Sequence, residues 1–350
     1  MKVLVTGGAG FVGSHVAEYY AKKCDEVAIF DNLSRATLLG YDASNAVYNW
    51  NYLKSYANID RIKGDIRDIE ALELASKDAD VIIHTAAQTA VTTSVKDPRT
   101  DFEINALGTF NVLEAARKSE SNTSVIFCST NKVYGDNVNK IPVKEQEKRY
   151  VFNDLRYKNG IKETFPTDLC EHTPYGASKF AGDICVQDYA HVYGLKTAVF
   201  RMSCIYGTRQ FGVEDQGWVA WFIIATLTNK PITIYGDGKQ VRDVLYVDDL
   251  VKAYDLFMES NLKQEVFNIG GGSENTLSLL ELLDLLKDST GMRAKISYDD
   301  WRPSDQKVYI SDIGEIREKL KWKPEVNPRE GVNKLVDWVK ENSSLFSRGR

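Results

Sequence analysis

A tyrosine and a lysine one helical turn apart can run reversible alcohol chemistry. Tyr175 and Lys179 stand that way in Thr173-Pro174-Tyr175-Gly176-Ala177-Ser178-Lys179. The proline near the start reads as a helix entry, and the i, i+4 spacing puts both side chains on one face. An ammonium beside a phenol favours the phenolate, so the lysine is expected to draw the tyrosine from about 10 toward neutrality. A tyrosine so tuned takes a proton from an alcohol and returns it. The spacing is common. The chain has 18 tyrosines, and the pattern recurs at Tyr19/Lys23 and Tyr235/Lys239.

Other residues supply the partners such chemistry needs. Lys2 to Thr6 is a short apolar run that reads as a buried strand. It opens into Gly7-Gly8-Ala9-Gly10-Phe11-Val12-Gly13, followed by a helix from Ser14 to about Lys23. Glycines between a strand and a helix let a pyrophosphate approach the helix N-terminus. Asp31 ends the next strand, near the separation expected for the acid that binds adenosine ribose hydroxyls. A carboxylate there repels a 2′-phosphate and favours NAD; Arg35 is the nearby cation that would serve NADP instead. Asp65 could face the adenine amine or cap a helix with Asp68. His84 ends the strand Asp80–His84, where it is either a catalytic histidine or a buried structural one. Ser129 ends the strand Val125–Ser129, which opens into Thr130; both hydroxyls are placed to hydrogen-bond a substrate alcohol or to cap a turn.

The elements that must position these groups alternate β-α from residue 2 to 202, which means a doubly wound parallel sheet of Rossmann type. The glycine loop, Asp31, Thr130 and the Tyr175 helix all fall on its carboxyl edge, where open α/β sheets bind ligands. Tyr19/Lys23 lie at the far end of the first helix and Tyr235/Lys239 in a Gly-rich turn, so topology singles out Tyr175/Lys179. A helix is expected from about Pro98 to Lys118, carrying Asn105. Residues 136–172 form a polar, aromatic insert without periodicity, expected to be a lid or an extra substrate wall. After Met202 the pattern changes to a smaller α/β unit. The expected division is 1–202, also receiving a strand and helix from about 243–270, as the NAD-binding domain. Residues 203–242 and 271–350 then make the nucleotide-sugar domain. Arg209, Arg242 and Arg302 are candidates for gripping its diphosphate, since a guanidinium meets phosphate with two donors. Ser343 to Arg350 reads as a frayed tail.

Bulk properties narrow the partners. The 350 residues carry a net charge of −5, which gives no electrostatic case for nucleic acid or an anionic membrane. No apolar run approaches the roughly 20 residues that span a bilayer. The five cysteines are scattered without a CxxC pair, so no disulfide framework, zinc site or other metal is suggested. A reducing cytosol suits them, and a chain that opens on a strand leaves no room for a signal peptide.

Taken together, Thr6 to Gly13, Ser129-Thr130, Tyr175-x-x-x-Lys179 and Arg242-Asp243 resemble an extended short-chain dehydrogenase/reductase acting on nucleotide sugars, over essentially the whole chain. Several longer strings look like the branch that inverts C2 of CDP-sugars of the paratose/tyvelose type. They are Asp101 to Asn105, Ser129 to Asp136, the 136–172 insert, Arg209-Gln210-Phe211, Asp215 to Val219, and Gly238 to Asp243. The resemblance implies that Tyr175 takes the C2 hydroxyl proton while tightly bound NAD takes the hydride. The resulting 2-keto sugar turns over and receives both back on its other face. Lys179 tunes Tyr175, and Thr130 holds the reacting oxygen. It implies an NAD site made by Gly7, Gly10, Phe11, Val12, Gly13, Asp31, Asn32, Ser34, Arg35, Asp65, Ile66, Ala86, Ala87, Gln88, Asn105, Ser129, Tyr175, Lys179 and Met202. Substrate contacts would come from Thr130, Asn131, Lys132, Arg209, Gln216, Tyr235, Arg242 and Arg302. Asn131-Lys132 stand where 4,6-dehydratases of the family carry Asp-Glu, so loss of water is not expected. A UDP-sugar 4-epimerase uses the same Tyr/Lys/Thr set and stays open. A non-catalytic NAD-binding protein would be expected to lack the pair. Met202 stands where His is expected in the C2 branch. The helices around Pro98–Lys118 and Tyr175–His191 resemble those that pair in family homodimers or homotetramers.

Overall fold

The computed structural model describes residues 1–39, 47–119, 121–302 and 305–346. The apolar runs of the first two hundred residues, with one later strand, form a seven-stranded sheet. Its order is Gln264–Ile269, Thr197–Met202, Ser124–Thr130, Val81–His84, Lys2–Thr6, Glu26–Asp31, Ile59–Lys63. Neighbours from Ser124–Thr130 to Ile59–Lys63 run parallel. The winding direction reverses at Lys2–Thr6, where Thr6 pairs with Phe30 on one side and His84 on the other. The glycine loop therefore emerges at the switch point, where the carboxyl ends of two strands part and leave a crevice. This is the doubly wound parallel sheet expected from the sequence.

Its strands are near-continuous apolar runs because helices cover them. Leu4, Phe30, Ile82, Phe127 and Val199 share one core with Leu72, Val112 and Val186 of the helices Ile69–Ser76, Gly108–Lys118 and Pro174–Tyr193. The helix Phe11–Lys22 buries Val16, Ala17 and Tyr20. At its far end Tyr19 and Lys23 both bind Asp255 on the helix Val247–Glu259, at 2.7 and 2.8 Å. The competing tyrosine–lysine pair is thus a helix-to-helix ion pair. The expected helix 98–118 is interrupted: Pro98–Phe102 passes into a π-turn, Glu103–Leu107, before Gly108–Lys118.

The chain divides into two compact units. One holds Met1–Val133, Thr173–Arg201 and Val251–Phe267; the other holds Tyr134–His172, Met202–Leu250 and Asn268–Arg350. The first unit takes Val251–Phe267, and Gln264–Ile269 joins the large sheet, from within the stretch 243–270 expected to supply a strand and a helix. The strand Val241–Tyr246 stays outside it, pairing with Cys204–Tyr206, Thr276–Ser278 and Val308–Tyr309 inside the second unit. Residues 134–172 also belong to that unit, as part of its framework. Their hairpin Val143–Glu145/Tyr150–Phe152 is tied in by the Tyr150 amide donating to the Lys239 carbonyl. Ile161 donates to Ile310 and accepts from Asp312, at 2.7 and 2.8 Å. Gly160 permits this approach, since it has φ +113° and an added Cβ would lie 2.4 Å from the Ile310 carbonyl. These long-range ties leave no local periodicity, which is why the insert reads as a loop. Of the expected frayed tail, Ser343–Leu345 is a short 3-10 turn and residues 347–350 lie outside the described chain. Among the described residues no helix is long and apolar enough to cross a membrane.

Within the first unit Asp183 binds Arg201 at 3.0 Å and accepts from Ser129 Oγ at 2.7 Å, all three buried. Deleting one member of a buried ion pair strands the other charge. Asp183→Ala is expected to destabilise the protein by about 3–5 kcal/mol, read by urea unfolding. A loss under 1 kcal/mol would mean that the pair is open to water.

Candidate functional site

The glycine loop is built by close backbone approach. Gly7 has φ +71° and donates to the Phe30 carbonyl at 2.8 Å. A Cβ on Gly13 would sit 2.3 Å from the Gly7 carbonyl oxygen and 2.7 Å from Thr85 Oγ1; one on Gly7 would sit 2.6 Å from the Ala86 nitrogen. Gly10 caps the helix Phe11–Lys22 and no side chain caps that end. The amides of Phe11, Val12 and Gly13 are left as an anion-binding turn. The turn suits a dinucleotide pyrophosphate, and its close backbone packing depends on these glycines.

Asp31 closes the neighbouring strand. Its carboxylate accepts from the amides of Ala9 at 3.0 Å and Leu33 at 2.7 Å, and burial raises it above the ordinary carboxylate range. Asn32 donates to Asp65 and accepts from the Ser34 amide, at 2.9 and 3.0 Å. Asp31, Asn32, Ser34 and Asp65 thus lie along one edge, with Asn32 linking Ser34 to Asp65. Arg35 begins the helix Arg35–Leu39, beyond which residues 40–46 lie outside the described chain. Asp65 does not cap a helix. Asp68 does, accepting from the Ala71 amide, while Arg67 holds the Asp65 carboxyl at about 2. Ile66 packs against Gly108, where an added Cβ would lie 2.5 Å from it.

Tyr175 and Lys179 ride on the helix Pro174–Tyr193, whose start is fixed by Thr173 accepting from Gly176 and by Pro174 in the first turn. The Tyr175 amide donates to Ser94 Oγ at 3.1 Å. Thr130 hydrogen-bonds the Tyr175 side chain, accepts from the Lys132 amide at 3.2 Å and donates to Asn131 Oδ1 at 3.4 Å. Lys179 is buried, its ammonium 4.1 Å from the centre of the Phe127 ring. The electrostatics correct one expectation. Burial pushes the Tyr175 hydroxyl up to about 12, against the pull of Thr130. Burial also brings Lys179 down to about 8. The chain's own groups therefore leave Tyr175 protonated near neutrality. A buried lysine cannot stabilise a neighbour's anion cheaply when its own charge is penalised.

Three expected cofactor contacts are turned inward. Ser129 donates to Asp183. Gln88 is bonded by its side chain to Ala90 and Asp101. Asn105 binds Gln88, Asp101 and Ser178. The Gln88 and Asn105 side chains support the loop Thr85–Ala90; Ala86 and Ala87 in it are partly exposed. His84 is buried between Thr6 at 2.7 Å and Thr109 at 3.0 Å and stacks on Phe127. Burial holds it down to about 3, so it is neutral and structural. Met202 ends its strand, partly buried.

In the second unit two of the three candidate arginines, Arg242 and Arg302, already hold anions or carbonyls. Arg242 donates to the carbonyls of Val241 and Gln306 and to Asp305 Oδ1, the last two at 2.6 Å. Arg302 pairs with Asp215 at 2.9 Å and lies 4.1 Å from the centre of the Tyr235 ring; Tyr235 donates to Glu214 at 3.0 Å. Gln216 bridges back to Val213 across the Glu214-Asp215 turn. Arg302 and Tyr235 therefore meet at the Glu214-Asp215 turn, although they are far apart in the chain. Arg209 is buried with φ +58°. Arg302 and Asp305 line a cavity of about 610 Å³ that also takes Lys140, Pro142, Trp301 and Lys307. The acids that hold the arginines were not singled out from sequence, because charge alone does not mark which carboxylate a guanidinium will find. Asp101 was visible only as part of a string ending in Asn105.

Comparisons with known proteins agree with this geometry. A family model described as the NAD dependent epimerase/dehydratase family matches residues 3–270. The chain is 43% identical over 349 residues to a CDP-paratose 2-epimerase of Salmonella typhi, covering 97% of this chain and 99% of that protein. The UDP-glucose 4-epimerase of Thermotoga maritima, solved with UDP-glucose, superposes with a TM-score of 0.81 at 33% identity, covering 98% of this chain and 100% of that one. A UDP-glucuronic acid 4-epimerase of Bacillus cereus, solved with UDP-glucuronic acid and NAD, gives a TM-score of 0.81 at 28% identity with the same coverage.

His84 gives a pH test of the site's interior. Its ordinary value is 6.5 and its folded value about 3. The unfolded chain takes up a proton below about 6.5 that the folded chain refuses. Stability is therefore full above that pH and falls toward pH 3. Between pH 7 and 5 His84 should cost about 2 kcal/mol of stability. His84→Asn removes this slope, so the stability gap between wild type and variant should narrow by that amount in urea titrations. A constant gap would show that the histidine is not held neutral.

Proposed function

The chain belongs to the NAD dependent epimerase/dehydratase family, and from that premise we propose that it inverts C2 of a CDP-sugar of the paratose/tyvelose type. The end-to-end likeness to the Salmonella typhi CDP-paratose 2-epimerase carries the choice of C2 and of CDP. Inversion at a carbon bearing a hydroxyl needs a proton moved at oxygen and a hydride moved at carbon. NAD, when bound, supplies the hydride acceptor and donor and a positively charged ring. Tyr175 is the group that holds the hydroxyl proton and returns it, with Thr130 fixing the oxygen between them. Lys179 is the buried cation one turn along, placed to steady the phenolate once further positive charge is near. Gly7 to Gly13 take the cofactor pyrophosphate, and Asp31, Asn32, Ser34 and Asp65 its adenosine end.

On the substrate side, Arg209, Arg242 and Arg302 are proposed for the diphosphate. Asn131, Lys132, Gln216 and Tyr235 are proposed for the rest of the nucleotide sugar. Asn131 is buried beside Thr130 and neither it nor Lys132 is an acid. Expelling water from the sugar needs such an acid and a further base, so the site is suited to moving a hydride off a carbon and back. Exposed Phe102, Leu107, Phe110, Ile184, Val192 and Tyr193 lie on the two helical stretches expected to pair, which supports a homodimer or homotetramer. Phe110→Glu should then release monomers in sedimentation velocity; an unchanged mass would remove that interface.

The activity itself is tested by incubating the holoenzyme with CDP-, UDP-, ADP- and GDP-sugars and reading the product by NMR. Inversion at C2 of the CDP-sugar is expected. Inversion at C4 of a UDP-sugar would replace this reading with that of the two solved 4-epimerases. Tyr175→Phe should lose turnover by about 100-fold or more while NAD stays bound. Retained turnover would remove Tyr175 as the proton carrier.

A further inference from the structure

Beside Tyr175 lies a buried carboxylate with no part in the chemistry above. Asp101, on the short helix Pro98–Phe102, is fully buried. It accepts hydrogen bonds from Ser178 Oγ, from Gln88 Nε2 at 2.8 Å and from Asn105 Nδ2 at 3.1 Å. Each donor comes from a different element. Gln88 lies in the loop after the strand Val81–His84, Asn105 in the π-turn Glu103–Leu107, and Ser178 on the helix between Tyr175 and Lys179. The donors are also bound to one another. Gln88 and Asn105 exchange amide hydrogen bonds at 2.9 and 3.1 Å. Ser178 Oγ lies 3.1 Å from the Tyr175 carbonyl, so the chain of contacts ends on the Tyr175 backbone.

Burying a carboxylate is costly unless its hydrogen bonds are complete. Here they are, and the anion stands where four elements meet around the reactive pair. The π-turn has a role in the same arrangement. Such turns insert one residue into a helix and are frequent at functional sites. This one holds Asn105 against Asp101, Gln88 and Ser178 together. An apolar residue at 101 would avoid the desolvation but would strand three donors.

We propose that Asp101 is a positioning residue for the reaction, clamping the first turn of the Pro174–Tyr193 helix against the loop after Val81–His84 and so setting Tyr175 for proton transfer. This rests on the reading that Tyr175 carries the proton. The carboxylate also acts through space. The titratable groups that bear on Tyr175 are Asp101 and, on the strand Ser124–Thr130, Cys128; Lys179 lies one turn along its own helix. Asp101, Asp183 and Cys128 bear on Lys179 in the same way. A negative charge at 101 raises the proton affinity of Tyr175, so neutralising it must lower that affinity.

The test uses holoenzyme with ¹³C-ζ-labelled tyrosine, the Tyr175 signal being assigned by its loss in Tyr175→Phe. In Asp101→Asn the Tyr175 titration midpoint should fall by about half a pH unit or more. Turnover of CDP-tyvelose should fall about ten-fold with KM little changed. Ser178→Ala keeps the charge and cuts the link, so it should lower kcat without moving the midpoint. The double variant should be no slower than Asp101→Asn, because both act through one chain of contacts. The proposal is overturned if Asp101→Asn changes only the melting temperature, or if Ser178→Ala turns over at the wild-type rate. Should Asp101→Asn fail to fold, the Ser178→Ala rate decides alone. Should CDP-tyvelose not react at all, the choice of substrate fails, while the Tyr175 midpoint still reports on Asp101.

Discussion

A lysine ammonium buried against the central sheet is the constraint around which the first unit is arranged. Lys179 sits over Phe127 with almost no access to water. Desolvation at such a place penalises the charged form, and the neighbours answer it with negative groups. Asp183 lies one turn further along the same helix, itself committed to Arg201 and Ser129. Asp101 lies on the other side, held by three donors. His84, close enough to feel the same cation, is kept neutral between two threonines. Asp101, Asp183 and Cys128 thus share one field with this ammonium, and Asp101 and Cys128 also act on Tyr175.

That field also explains why the tyrosine is not pre-activated. Burial of the phenol outweighs the Thr130 hydrogen bond, so the resting state is the protonated one. A phenolate maintained permanently in an apolar site would cost several kcal/mol of desolvation. The glycine loop stands at the same switch point, where its backbone approaches too closely for any Cβ at Gly7 or Gly13. Cofactor cradle and reactive pair are thus both consequences of one parallel sheet and its carboxyl edge.

The second unit shows a different economy. Two of its candidate arginines are occupied: Arg242 by Asp305 and two carbonyls, Arg302 by Asp215 and the Tyr235 ring. A guanidinium kept paired is held in a fixed direction and keeps less freedom to lose when an anion arrives. The insert 134–172 is woven through the same unit by backbone hydrogen bonds to Lys239, Ile310 and Asp312. It is framework, and the wall it builds toward the 610 Å³ cavity runs through Lys140 and Pro142.

The tyrosine–lysine pair, the glycine loop, Asp31 and Thr130 were legible in the residues alone, because each depends on local spacing and on a strand-turn-helix order that the apolar pattern already dictates. The doubly wound sheet was legible for the same reason. The inward turn of Ser129, Gln88 and Asn105 was not, nor the pairing of Arg302 with Asp215. Partners on different elements, such as Ser129 and Asp183 or Arg302 and Asp215, leave no periodic trace. The sign of the Tyr175 shift was decided only by tertiary structure as well. A sequence shows that a cation stands one turn away. Only packing shows how much water both groups have lost, and here desolvation outweighs the hydrogen bond that opposes it.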